Sequence, residues 1–183
     1  KEMLALKPIN LQINSGEIVA LMGRNGAGKS SLLKALLNVV PFEGKINSRA
    51  KKIGYIPQDA NDLLYLQSVQ AECAQTDKDN QLPPGSTAKL LGEIASSIPM
   101  NSHPRDLSEG QRLALVLALV LAPNPDLLIL DEPTRGLDYQ TKSLLVSQLT
   151  ARAKDSAAVI IATHDVELVA ELANRIMILA DGE

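Results

Sequence analysis

The chain has no tryptophan, one phenylalanine and three tyrosines among its 183 residues, so aromatics make up only 2%. An aromatic core is excluded; Leu, Ile, Val and Ala have to fill the interior. Cysteine is nearly missing too, since Cys73 stands alone. No disulfide can form within the chain, and a reduced setting fits. Cys73 reads as a small hydrophobe on a helix. An excess of positive charge is also missing. The formal net charge is -3 and the pI about 5.5. That balance argues against a nucleic-acid binder, which usually carries a basic face. Long apolar runs are absent as well. The longest unbroken one, Leu113 to Ala122, falls far short of the ~20 residues that a membrane-spanning helix needs. It reads as a buried core helix.

What is present is globular in character: 45% hydrophobic and 21% charged, enough chain for one domain with a sizeable core. The sequence opens on Lys1 and stops at Glu183 just after a strand-like run. Both ends read as cut, so the expectation is a single domain, residues 1–183, excised from a longer protein.

Elements alternate along the chain. "EIVALM" (Glu17 to Met22) is a β-rich run that leads into a Gly-rich loop. Leu32, Leu33, Leu36, Leu37 and Val40 then recur at helical spacing, and Pro41 and Gly44 close the unit. "KKIGYIPQ" (Lys51 to Gln58) reads as a second strand. Residues 59–106 are more polar and broken, with "QTDKDNQLPPGS" (Gln75 to Ser86) as a loop between two helical patterns. This stretch reads as a helical insertion. A buried helix follows from Ser108. "DLLILDE" and "AAVIIATHD" read as buried parallel strands around a helix from Tyr139 to Lys154, and "RIMILADG" as a last strand and turn. Such alternation predicts an α/β fold with a mostly parallel central sheet.

Gly23 to Ser30, "GRNGAGKS", matches G-x-x-x-x-G-K-[ST] in full. Gly23, Gly26 and Gly28 let the backbone turn its N–H groups toward phosphate oxygens. Lys29 brings a point charge to the β- and γ-phosphates, and the Ser30 hydroxyl is a Mg²⁺ ligand. The preceding strand and following helix are the context this loop requires. "LLILDEP" sets Asp131 and Glu132 at the end of an apolar strand. Asp131 suits Mg²⁺ coordination through water. Alternation turns the next side chain the other way, which makes Glu132 the general base for an attacking water. His164 also ends an apolar strand, where a parallel sheet collects its site residues. There it can contact the γ-phosphate or orient the base. Gln58 follows "GYIP" at a strand end, and its amide can meet Mg²⁺ or the water. His103 has no such context and reads as surface.

"LSEGQ", Leu107 to Gln111, raises a separate question. Ser108 and Gln111 fit a Ser-x-x-Gln capping box. Yet Gly110 in the first turn lowers helix propensity and clears space for something to approach the backbone. A helix start of this kind is a second anion site on a chain that already has one. Two half-sites make sense if they meet across two chains.

With these residues in view, the sequence resembles the ATP-binding domain of ABC proteins. "GRNGAGKS" matches their Walker A loop, Gln58 the Q-loop, "LSEGQ" the signature, "LLILDE" the Walker B strand, "GLD" with Asp138 the D-loop, and "THD" with His164 the switch histidine. Glu109 replaces the commoner Gly. The resemblance implies a P-loop NTPase fold with a small antiparallel N-terminal β portion. It implies ATP and Mg²⁺, nucleotide contacts from Gly23, Asn25, Gly26, Gly28, Lys29, Ser30 and Ser31, and contacts across a head-to-tail dimer from Ser108, Gly110, Gln111 and Asp138. Glu132, His164 and Gln58 are the implied catalytic set, and Ser30, Gln58 and Asp131 the implied metal set. The implied partners are a second ATPase domain, identical or not, and transmembrane transporter subunits at a membrane's cytoplasmic face. "DEPTRGLD" and "PQDANDLLYLQSVQAE" resemble energy-coupling-factor and cobalt-type importer ATPases, which implies import of a metal ion or vitamin. A soluble ABC ATPase acting on ribosomes or another macromolecule is the alternative. The family usually stacks adenine on an aromatic upstream of the Walker A, and residues 1–22 contain none.

Overall fold

The computed structural model of the chain describes residues 6–95 and 97–180. Its most apolar runs become its most central strands. β1 (Ile18–Gly23), β3 (Leu127–Asp131) and β4 (Ala158–Ala162) are each buried over four residues. They lie inside a five-stranded sheet whose edges are β2 (Ile53–Ile56) and β5 (Arg175–Leu179), in the order β2-β3-β4-β1-β5. Every ladder is parallel, with Ile18 opposite Val159 and Leu128 opposite Val159 on either side of β4. Strands covered on both faces read as continuous apolar runs, which is why these three were plain in the sequence.

Helices cover the two faces. α1 (Lys29–Leu36) lies on one, where Leu32 and Leu33 join Leu21, Ile129 and Ile160. α4 (Glu109–Leu121), α5 (Tyr139–Lys154) and α6 (Val166–Leu172) lie on the other, where Leu113, Leu117, Leu145, Leu149 and Leu168 meet Leu128 and Val159. Each such side chain gives roughly 1.5–3 kcal/mol when fully buried.

The insertion is built on α4. Val116, Leu117 and Leu121 face the sheet, while Ala114, Leu115, Ala118 and Leu119 face a separate cluster with Val69, Cys73 and Leu91. These last come from α2 (Val69–Asp79) and α3 (Ser86–Ile94). α4 is apolar all round because it belongs to two cores. Cys73 is 1% exposed, the small buried hydrophobe that was expected. Two 3-10 turns, Ala60–Leu63 and Pro104–Asp106, flank the helices. His103 lies at the surface margin, where its Nδ1 accepts the Arg105 amide and caps the second turn.

Two expectations need correction. The loop expected from Gln75 to Ser86 is shorter, since α2 runs through Asp79. Gln75 donates to Asp79 one helical turn on, and the buried Asp77 holds the next helix start. The polar composition hid a helix. The small antiparallel β portion does not form among the described residues. Leu6, Ile9, Leu11 and Ile13 alternate as a strand would and pack on the α1 side of the core, but residues 6–14 take part in no ladder. Pro8 has no N–H to give, and the alternate burial is satisfied by packing alone. The turn expected at residues 181–182 lies outside the described residues.

Candidate functional site

Four site segments converge because every strand runs the same way. Gly23 ends β1, Gln58 follows β2, Asp131 ends β3 and His164 follows β4. All lie at the carboxyl edge of the sheet, where open α/β folds collect ligands.

The phosphate loop opens directly into α1. Gly28, at φ 101°, occupies the N-cap, and no side chain caps the helix. Its first N–H groups are left for an anion. Lys29 is 6% exposed, and its Nζ donates to the Gly23 carbonyl at 2.8 Å. The same Nζ lies 3.7 Å from Glu132 Oε1.

Glu132 is reached by a route the sequence did not show. β3 stops at Asp131, and Glu132 takes φ 47°, the left-handed region. Its amide donates to the Ala162 carbonyl at 2.8 Å. Strand alternation is therefore not what separates the two acids; a left-handed turn is, and it costs a non-glycine residue on the order of 1–3 kcal/mol. The turn lays the carboxylate between two partners. Oε1 faces Lys29, and Oε2 lies 2.8 Å from His164 Nδ1 and accepts the His164 amide at 3.3 Å. An ionised carboxylate only accepts, so Nδ1 carries the hydrogen in this pair. The His164 side chain is 72% exposed and the Glu132 side chain 11%.

Ser30, Gln58 and Asp131 line one cleft of about 680 Å³, together with Lys34, Glu109 and Arg135. Asp131 is 4% exposed, and its Oδ1 is buried with no hydrogen-bond partner. A buried carboxylate oxygen without a donor suits a cation. Among the described residues no three His, Cys, Asp or Glu side chains cluster as a metal cage. The donor set is one carboxylate, one hydroxyl and one amide, which fits Mg²⁺ carried in with substrate phosphates.

The second group of expected residues stands apart. Ser108 Oγ accepts the Gln111 amide at 3.3 Å, and Gln111 Oε1 accepts the Ser108 amide at 3.1 Å, so the capping box is formed. Gly110 does clear space for an approach, but the approach is made within the chain. A Cβ there would lie 2.8 Å from Thr141 Oγ1 on α5. Asp138 caps α5 by accepting the Thr141 amide at 2.8 Å. That hydrogen bond holds its carboxyl below the ordinary range. Neither Ser108 nor Asp138 lines the cleft of Ser30 and Asp131.

Comparison with known proteins shows the family and the fold. The profile of the ABC transporter family matches residues 6–135. The chain belongs to the ABC transporter ATP-binding family. A putative ABC transporter ATP-binding protein of Streptomyces avermitilis is 50% identical over 98% of this chain, which covers 34% of that protein. The energy-coupling factor transporter ATP-binding protein EcfA of Methanocaldococcus jannaschii is 32% identical over 97% of this chain, covering 71% of that protein. A dimeric ATP-binding cassette solved in a post-hydrolysis state with ADP and Pi superposes with TM-score 0.82 at 28% identity, over 98% of this chain and 88% of that one. The chain spans about a third of the length of its Streptomyces relatives. The ABC cassette is thus an α/β P-loop ATPase domain with a parallel sheet. No helix among the described residues is long and apolar enough to cross a membrane.

The cleft also holds charged side chains outside the expected set. Lys34 and Arg135 bring positive charge to the cleft, and Glu109 brings a carboxylate. Arg135 was visible as the charge between "DEPT" and "GLD". Lys142 and Asp165, 2.7 Å apart, are 23 positions apart in sequence and carried no local signal.

Proposed function

We propose that this cassette hydrolyses ATP with Glu132 as general base. The observation that carries the reading is Glu132 fixed between Lys29 of the phosphate loop and His164 at the sheet edge. Gly23, Asn25, Gly26, Gly28 and Ser31 would surround the phosphates, with Lys29 as their point charge. Ser30, Gln58 and, through water, Asp131 would hold Mg²⁺, which when bound neutralises charge on the phosphate oxygens. Glu132 accepts the proton of the attacking water, and His164 orients the carboxylate. Gln58 lines the cleft with Ser30 and Asp131, from which it would position that water.

The same reading makes the active unit a head-to-tail pair of cassettes. Ser108, Gly110 and Gln111 form a second helix start beside the cleft that Glu109 lines, and we read them as serving a partner's nucleotide, with Asp138 at the contact. We read residues 1–183 as one domain of a longer polypeptide, with 59–106 as its helical insertion. The insertion's role is to grip a transmembrane subunit, which places the cassette at a membrane's cytoplasmic face. Similarity to EcfA and to an ABC transporter of putative metal-chelate type supports import of a metal ion or vitamin over ribosome-directed work.

Glu132→Gln tests the base. Its amide cannot take the proton, so ATP should still bind while single-turnover hydrolysis falls at least 100-fold, roughly the weight of general-base catalysis. Near-normal turnover with bound ATP would remove Glu132 from the role.

A further inference from the structure

The Asp165 carboxylate joins three segments that flank the cleft. Its Oδ1 accepts the Leu168 amide at 3.1 Å, which caps α6. Its Oδ2 accepts from Lys142 Nζ at 2.7 Å. The Thr134 side chain also favours its charged form, and Thr134 lies two residues beyond Glu132. Its own amide donates to Oγ1 of Thr163, which is fully buried. Lys142 stands in the first turn of α5, where its amide donates to the Asp138 carbonyl. Burial pushes the Asp165 carboxyl up, but Lys142, Leu168 and Thr134 outweigh it and hold the group below the ordinary range.

His164 is the residue before Asp165. Its imidazole is mostly exposed, and among the described residues its hydrogen-bonded contact is Glu132. Packing does not orient such a ring; its backbone does. The chain that follows 164 is held by the Asp165 carboxylate, which caps α6. Asp165 in turn is pinned by an ion pair to the helix that begins at Asp138.

We propose that Asp165 is a positioning residue, and that through Lys142 it sets the His164–Glu132 contact according to where the first turn of α5 stands. Resting on the dimer reading above, a second cassette that presses on residues 136–138 would adjust the catalytic pair of this one along that path. The two tethers of Asp165 are separable. Asn at 165 keeps the cap acceptor and loses the ion pair. Met at 142 keeps the stem and loses the charge.

The chain has two histidines, so His103→Asn, which keeps a capping acceptor, leaves His164 as the sole imidazole for NMR. In that background Lys142→Met and Asp165→Asn should both move the His164 imidazole resonances in the direction that Glu132→Gln moves them. Lys142→Arg should leave them near wild type. In hydrolysis assays Lys142→Met should lower kcat roughly tenfold, the scale of a sub-ångström misplacement, with KM for ATP within about twofold. Lys142→Arg should restore kcat. Resonances that stay put in Lys142→Met overturn the proposal, as does a loss of kcat that Lys142→Arg does not recover. The resonances report on the contact whether or not the chain hydrolyses ATP, so failure here is distinct from failure of the proposed activity.

Discussion

Asp77 is 3% exposed and accepts from the Gly85 amide, the Thr87 amide and the Thr87 hydroxyl, at 2.7, 2.9 and 2.6 Å. Burial pushes its carboxyl up, but the Thr87 hydroxyl and these amides together hold it below the ordinary range. Asp77→Ala strands the fully buried Thr87 hydroxyl and should destabilise the fold by about 2 kcal/mol in urea melts. The sign of its pH dependence follows from the depressed pKa. The advantage of Asp77 is complete above the unfolded carboxyl's value, near ~3.9, and fades as pH falls through the lower folded value. Wild type and Asp77→Ala should therefore converge in stability on acidification; a constant gap would contradict this. Next to it, burial first and then Asp77 and Glu72 push the Cys73 thiol up to about 11. Thiolate is scarce at neutral pH, so iodoacetamide should label native protein no faster than it unfolds. Labelling at the rate of an open thiol would show that Cys73 is not enclosed. None of this was legible in "QTDKDN", where a buried acid and an exposed one look alike.

At the scale of elements, α4 shows both what a sequence gives away and what it withholds. Its apolar run, the boundaries of α5 and the three central strands were readable because burial on all sides leaves an unbroken apolar pattern. The phosphate loop, the Walker B acids and His164 were readable because a fixed chemistry fixes residue types at fixed spacing. Contacts between elements were not. Gly110 read as space cleared for a ligand, and the sequence did not show that α5 also comes against α4 there. Gly110→Ala should raise helix propensity by up to about 1 kcal/mol, yet its Cβ meets Thr141 Oγ1 at 2.8 Å. Overpacking of this kind costs roughly 1–3 kcal/mol, so the single variant should be less stable than wild type. Thr141→Ala removes the offending atoms, and the double variant should recover most of the loss. A double-mutant cycle with coupling above about 0.5 kcal/mol is the expected signature; additive effects would mean that α4 and α5 do not press on each other there.

For the whole molecule, one sheet direction gathers Lys29, Ser30, Gln58, Asp131, Glu132 and His164 at one edge, while Ser108 sits at the start of a helix outside that cleft. Two helix starts suited to an anion on one chain, at Gly28 and at Ser108, are the argument for a second cassette, and complementation tests it. Lys29→Ala removes the charge of the phosphate loop. Ser108→Asp is the better partner variant, because Asp is as good an N-cap as Ser and keeps α4 intact while it puts negative charge where a partner's phosphate would approach. Each variant alone should be nearly inactive. In a heterodimer the Ser108→Asp chain supplies a sound phosphate loop and the Lys29→Ala chain a sound signature. One of the two composite sites is then whole. Random pairing makes about half of the dimers heterodimers, with one sound site in two, so the mixture should regain roughly a quarter of wild-type ATPase activity. If "LSEGQ" served its own chain's nucleotide, every site in the mixture would keep one defect. Heterodimers isolated through two different affinity tags and found inactive would then assign Ser108 to its own chain's nucleotide, whereas a Ser108→Asp chain active by itself would leave Ser108 the helix cap alone.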